Sequence, residues 1–261
     1  MFDDNNPLIP PLSTSTTFTS CSITGLVSTT HGGAIYISSN SIKLTVEKCL
    51  FIDCTAKNGC GGAIYAYPAQ EVKSTESVFI RCTIDASGDP DDGGGAIYMK
   101  SVGDISLVTS AFLDCTTIYC GGGVELMCSD SQSGNERTFE DCRFIFCRGS
   151  RNGGGFIAWR NTFHVCLSNT LFSLCSNNYG GAFELSYSTW STSTISFCLF
   201  HDNSGTHGNS VYSEYMQSNP FTHCFATHSE TEQVYINPPA LETHQSTQST
   251  AYPNWLPQGL V

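Results

Sequence analysis

Cysteine is the side chain with the widest chemical scope here, because 14 occur among 261 residues. Their recurring positions favour a ladder of small buried side chains. Two alternatives stay open. Vertical disulfides would suit a spacing of about 4.8 Å between stacked strands. Zinc would use the three Cys-x4-Cys segments, although no Cys-x2-Cys pair occurs. Seven of the cysteines end Phe-x-x-Cys segments, at Cys21, Cys54, Cys82, Cys115, Cys147, Cys175 and Cys224.

A second set of functional side chains lies three positions after each of several glycine pairs. Because adjacent strand residues point to opposite sides, we expect this column to face outward as an exposed aromatic ladder. Glu125 and Glu184 lie two repeats apart, about 10 Å, which is near the separation of an inverting glycosidase pair. The alternative is two solvated charges with Ile157 between them. The predicted binding residues are Tyr36, Tyr65, Tyr98, Glu125, Glu184 and Tyr212.

The remaining candidates are weaker. Residues 85–92 hold four aspartates without the ligand spacing of an EF-hand, so they indicate an acidic turn or a weak calcium site. Arg81 is the only cation of the repeat columns near that loop. His201, His207 and His223 fall near the C-terminal repeats and could meet. No catalytic residue, metal ligand or cofactor is therefore assigned.

All these positions belong to one degenerate repeat. Six steps from Ile35 to Val211 cover 176 residues, a mean near 29. Short runs with period-two alternation predict strands, and the glycines predict tight turns between them. We therefore predict an all-β chain, a single right-handed parallel β-helix (solenoid) of about seven coils. The segments that follow the glycine pairs share an apolar column: Ile35, Ile64, Ile97, Val124, Phe156, Phe183 and Val211.

The ends of the chain differ from its middle. Residues 1–14 are predicted to form a polar N-terminal segment or cap, residues 15–228 the β-helix, and residues 229–261 a polar, poorly ordered tail or cap. The net charge of −12 disfavours nucleic acid and anionic membranes as partners. No secretory leader or transmembrane run is recognisable in the sequence, so localisation does not follow from it.

Gly-Gly-Ala-Ile segments that alternate with Phe-x-x-Cys, and once with Phe200-x-x-Asn203, carry a family resemblance. From Phe18 to Cys224 the sequence resembles the chlamydial polymorphic outer-membrane protein repeat, and it is similar to repeat proteins of parasitic protists such as trichomonads. The resemblance implies a right-handed β-helix passenger and, in the best-known members, cell-surface display and adhesion. Cysteine replaces the family's asparagine in seven of eight copies.

The functional prediction follows from the repeat and the resemblance together. We expect a non-enzymatic β-helix scaffold for surface display, adhesion or ligand binding, with an unknown protein or glycan as the ligand. One alternative is a carbohydrate-active β-helix enzyme, either a polysaccharide lyase or a glycoside hydrolase. A second alternative is a structural fragment of a larger surface protein.

Overall fold

The computed structural model describes residues 14–85, 93–127, 136–159, 164–186, 193–214, 221–227 and 234–237. Every regular element within these ranges is a β-strand. The first nine are β1 (Thr16–Thr19), β2 (Ser22–Thr24), β3 (Val27–Ser28), β4 (Ile35–Glu47), β5 (Leu50–Ile52), β6 (Thr55–Ala56), β7 (Ile64–Thr75), β8 (Val78–Ile80) and β9 (Thr83–Ile84). The next nine are β10 (Ile97–Lys100), β11 (Val102–Val108), β12 (Ala111–Leu113), β13 (Val124–Met127), β14 (Glu136–Glu140), β15 (Arg143–Ile145), β16 (Phe156–Trp159), β17 (His164–Ser168) and β18 (Leu171–Ser173). The last nine are β19 (Ser176–Tyr179), β20 (Phe183–Ser186), β21 (Thr194–Ser196), β22 (Leu199–His201), β23 (Ser204–His207), β24 (Val211–Glu214), β25 (Phe221–Thr222), β26 (Phe225–Thr227) and β27 (Val234–Asn237).

Successive turns of the chain place these strands in four parallel stacks, which we name A to D. Stacks A and B share one 14-stranded sheet, because β4 and β7 run through both of them. Stack A contains β4, β7, β10, β13, β16, β20, β24 and β27. Stack B contains β1, β4, β7, β11, β14, β17, β21 and β25. Stack C is the eight-stranded sheet β2, β5, β8, β12, β15, β18, β22 and β26, and stack D contains β3, β6, β9, β19 and β23.

The register confirms the predicted parallel solenoid. Ile35 pairs with Ile64, and Ile64 pairs with Ile97, although these steps differ in length. The same column continues through Val124 to Val211. Loops therefore absorb the length differences while the core keeps its register. The right-handed sense of the helix stays a prediction, as do the domain boundaries. Strand β27 pairs with β24 and lies within the segment predicted as a tail.

Phenylalanine fills the interior behind stack C. Phe51, Phe79 and Phe112 are fully buried, and their rings stack with centroids 4.8 and 5.0 Å apart. Rings at this separation and nearly parallel gain packing energy beyond the burial of their area. The middle residue of each stack C strand from β5 to β22 is a phenylalanine, so the same contact repeats from coil to coil.

Two rows of corner residues bound stack C, and at each corner the backbone adopts a left-handed φ. Asp53 has φ 53° and Lys48 has φ 52°. The residue after the second corner stabilises the turn. Asn203 Nδ2 donates to the Phe172 carbonyl at 3.1 Å, and the Cys175 thiol donates to the Phe144 carbonyl at 3.4 Å. Cysteine can therefore replace asparagine in this repeat, because the thiol reaches the equivalent carbonyl.

Candidate functional site

The column predicted to bind ligand is built as the repeat indicates. Tyr36 stacks on Tyr65 with centroids 5.2 Å apart and an interplanar angle of 3°. Tyr65 stacks on Tyr98 at 5.4 Å and 4°. Glu125 continues the column, since it pairs in register with Tyr98. The aromatic ladder along the outer side of stack A is therefore confirmed.

The expected exposure of this column is wrong. Tyr65 is 7% exposed and Tyr98 is 3% exposed, while Tyr36 is half-buried. Tyr212 is 5% exposed, and both glutamates are fully buried. A column on the outer side of a strand can be this inaccessible only if other residues cover it.

The cover comes from the residue that precedes each glycine pair. The first glycine of each pair has a positive φ, as in Gly32 at 60° and Gly94 at 73°. This conformation suits glycine and turns the chain back across the outer side of stack A. Gly32 could not carry a side chain, because a Cβ would lie 2.2 Å from the Ile35 carbonyl oxygen. We call the covering residues the covering row: His31, Cys60, Gly93, Cys120, Asn152, Tyr179 and His207.

Residues of the covering row contact the residues of the column beneath them. The His31 ring stacks on Tyr65 at 4.2 Å, and its Nδ1 accepts a hydrogen bond from the Cys60 amide at 3.0 Å. Asn152 Nδ2 donates to Glu184 Oε1 at 3.0 Å. Above Glu125 the row narrows to Gly93, whose Cβ position lies within 1.8 Å of a carboxylate oxygen. The row therefore covers the column: Cys60, Gly93 and Cys120 are themselves buried, whereas Tyr179 and His207 are exposed to solvent.

The two glutamates do not form an accessible catalytic pair. Glu125 and Glu184 are each 0% exposed, and Ile157 lies between them in register. A polysaccharide would have to displace the covering row to reach either carboxylate. Both interpretations of the pair, two solvated charges and a glycosidase-like couple on the surface, are therefore wrong, because the local turn buries both side chains.

Arg81 forms an ion pair with Asp53. Its Nε and Nη2 atoms donate to the Asp53 carboxylate at 2.7 and 2.9 Å, across one coil. These hydrogen bonds hold the pKa of Asp53 below its ordinary value. Of the acidic loop at residues 85–92, only Asp85 lies within the described residues.

The three C-terminal histidines lie in different parts of the coil. His207 stacks on Tyr179 at 4.7 Å, and His223 stacks on Phe197 at 4.9 Å. His201 belongs to stack C, with its Nε2 3.6 Å from Asp202. Within the described ranges, no three or more His, Cys, Asp or Glu side chains are grouped so that they could hold a metal ion.

The cysteines form the buried ladder that the repeat favoured. All 13 described cysteines are free thiols, and ten of them are buried. Burial raises the pKa of Cys142 to about 12, so this thiol stays protonated at neutral pH. The buried-ladder interpretation is confirmed for these ten cysteines, whereas Cys21, Cys166 and Cys224 are half-buried and Cys128 lies outside the described residues.

One surface escaped the sequence analysis, namely the outer face of stack C. Leu50 and Ile52 flank the buried Phe51 in β5 and are both half-buried. The sequence pattern that indicates this face is the pair of apolar residues that flanks Phe51, Phe79 and Phe112. The first outward row is Ser22, Leu50, Val78, Ala111, Arg143, Leu171, Leu199 and Phe225, and the second is Thr24, Ile52, Ile80, Leu113, Ile145, Ser173 and His201.

Large apolar side chains also stand at the corners beside this face. Phe146 is 43% exposed, Leu174 is 37% exposed and Phe197 is 48% exposed. The first corner row, which precedes stack C, is Lys48, Glu76, Thr109, Asp141, Asn169, Phe197 and His223. The second, which follows it, is Asp53, Arg81, Asp114, Phe146, Leu174 and Asp202. The outer face of stack C is thus mainly apolar from β5 to β12 and at Ile145 and Leu171, with exposed Arg143 between them, and it lies between two mixed corner rows.

Comparison with known proteins adds no assignment to these surfaces. No protein-family model, no curated protein and no solved structure matches this chain. The described part of the chain contains no helix able to cross a membrane. The repeat and the geometry of its faces are therefore what bears on function.

Proposed function

We propose that this chain is a non-enzymatic binding scaffold of the chlamydial polymorphic outer-membrane protein kind, displayed at a cell surface, where it binds a protein or glycan ligand. The Gly-Gly-Ala-Ile and Phe-x-x-Cys/Asn segments support the family relationship. The stacked coils support a scaffold role, because each coil adds one more row to every face of the rod.

The observation that carries the binding role is the apolar outer face of stack C. Ile80 and Leu113 are half-buried on this face, and Phe146 is 43% exposed at its corner. Apolar surface left in water costs about 25 cal/mol per Å². Contiguous apolar patches of several hundred Å² on a protein surface often mark interaction sites. A partner that covers this face would recover that free energy.

In this proposal the column of tyrosines and glutamates has a structural role. Because the covering row buries Tyr65 and Tyr98, they support the scaffold rather than contact the ligand. The carbohydrate-active alternative loses its candidate pair for the same reason, since Glu125 and Glu184 are also buried. A structural role within a larger surface protein is compatible with the same scaffold and stays a prediction.

The test compares binding with the outer face intact and altered. We would apply the biotinylated protein to intact host cells and to a glycan array, and then repeat both with a Phe146→Ser/Leu174→Ser variant. The control is Ile118→Ser, because Ile118 is 48% exposed but lies outside stack C and its corner rows. We expect saturable binding that falls roughly tenfold in the double variant and is unchanged in the control.

Equal binding by the double variant and the wild type would reject the outer face of stack C as the contact surface. Release of reducing or unsaturated ends from a polysaccharide panel, assayed with and without calcium, would reject the non-enzymatic role. Circular dichroism of all three proteins should agree, because the substituted side chains lie at the surface.

A further inference from the structure

The outer face of stack C is bounded by its two corner rows. Its eight strands, about 4.8 Å apart, make it about 34 Å long. Corner residues such as Lys48 and Asp53 are five positions apart, so the corner rows are at most about 17 Å apart. An α-helix with its side chains is about 10–12 Å across. The strip between the corner rows therefore has room for no more than one helix lying along the rod.

The spacing of the rows also suits a helix. Half-buried apolar side chains repeat at each coil, as in Ile52, Ile80 and Leu113, and leave grooves about 4.8 Å apart. A helix presents a new turn every 5.4 Å or so, and one apolar stripe faces its partner. The mismatch of about 0.6 Å per turn reaches half a row after about four turns. A helix of about 15 residues can therefore keep its ridges in these grooves.

The charges beside the face indicate the sign of the partner. The cations of the corner rows have acidic partners, since Arg81 binds Asp53 and Lys48 lies 3.6 Å from Glu47, and Arg143 is the one exposed cation among the outward residues given above for this face. Further carboxylates stand in the corner rows at Asp114 and Asp141, both exposed. The chain as a whole carries a net charge of −12. A partner with basic residues beside its apolar stripe would complement these margins, whereas a second acidic copy or an anionic bilayer would be repelled.

We propose that the outer face of stack C binds an amphipathic α-helix of a partner protein, whose apolar stripe is flanked by Lys and Arg. This inference rests on the proposed binding function and names the chemistry of the partner. The apolar stripe covers the two outward rows, and the exposed rings of Phe146 and Phe197 enclose its sides. The basic flanks lie over the acidic corner residues.

The test uses a fluorescent synthetic helix of about 15 residues with Leu along one stripe and Lys elsewhere. One control peptide has the same composition in strict alternation, and a second has Glu in place of Lys. Fluorescence anisotropy should give saturable binding of the Leu/Lys helix with a stoichiometry of one. The alternating peptide and the Glu peptide should each bind at least about tenfold more weakly.

Two variants locate the site on the protein. Ile80→Thr/Leu113→Thr keeps strand-forming residues while it removes apolar area, and should weaken binding about tenfold. Asp114→Lys/Asp141→Lys should weaken binding by a similar factor, because it reverses the charge of two corner-row residues. The matched controls are Ile118→Thr and Asp104→Lys; Asp104 is exposed in stack B. Neither control should change the affinity of the helix beyond error.

Other outcomes would overturn this inference. Equal binding of the helix and the alternating peptide would show that charge attraction alone, and not an apolar stripe, explains the binding. Sedimentation that shows a dimer abolished by Ile80→Thr/Leu113→Thr would assign the face to a second copy. Binding to phosphatidylserine vesicles lost in the same variant would assign it to lipid. If the Leu/Lys helix fails to bind while host-cell or glycan binding still depends on Phe146 and Leu174, the helix is wrong and the proposed function stands.

Discussion

The outward side chains of stack A and stack C differ in exposure, although both stacks have the same parallel geometry. Tyr98 points outward from stack A and is 3% exposed, whereas Ile80 and Leu113 on the outer face of stack C are half-buried. The difference arises in the turn before each strand. A left-handed glycine such as Gly94 brings the covering row over stack A, while a left-handed corner residue such as Lys48 leads into stack C. An outward position in a solenoid is therefore not the same as an accessible one.

The largest expected difference between the two faces comes from truncating one outward residue in each. Tyr98→Ala removes a buried ring stacked on Tyr65, and should lower the free energy of unfolding by about 3–5 kcal/mol. Ile80→Ala removes a half-buried side chain on stack C, and should lower it by less than about 1 kcal/mol. Urea denaturation measures both values, and equal losses would contradict the distinction between the two outer faces.

A smaller effect tests the covering row itself. Gly93→Ala would place a methyl group against Glu125 Oε2 and 2.2 Å from the Cys120 carbonyl oxygen. We expect a loss of about 2–3 kcal/mol in the free energy of unfolding, because the backbone carbonyl cannot move freely. The control is Gly25→Ala. A Cβ at this position would have no other atom within 4 Å, so the only source of strain is the φ of 69°. That control should cost about 1 kcal/mol. If both glycines tolerate alanine equally, the close approach above Glu125 is wrong.

The smallest effect concerns pH and the buried thiols behind both faces. The pKa of Cys142 is raised from 9.0 to about 12 by burial, so the folded state keeps its proton longer than the unfolded chain. Stability contributed by this thiol is complete below pH 9 and is lost as pH rises from 9 towards 12. By pH 10 the loss should be about 1 kcal/mol. Unfolding of the wild type and Cys142→Ala should show a shallower alkaline slope in the variant, and identical slopes would refute the shift.

The sequence predicts the fold well because the fold is a repeat. Ile35, Ile64 and Ile97 occupy one column in the sequence and pair in register in the structure. The stacking of Tyr36 on Tyr65 follows from the same column. Period-two alternation determines which side of a strand a residue faces, and stacking determines its neighbours one coil away.

The burial of stack A by the covering row could not be predicted from the repeat. Whether Tyr98 or Glu184 meets water depends on where the chain goes before Gly94 and Gly180, and that direction is set by a backbone dihedral. The hydrogen bond from Asn152 to Glu184 joins residues 32 positions apart, between a turn and a strand of different coils. Only coordinates bring these two side chains together.

The buried thiols make local unfolding of the rod measurable. Ten cysteines are buried, and they are distributed from Cys49, between β4 and β5, to Cys198, between β21 and β22. A coil that frays at either end releases its own thiols to the solvent while its neighbours remain sealed. The number of sulfur atoms that an alkylating reagent reaches thus rises as more coils separate, without any engineered probe.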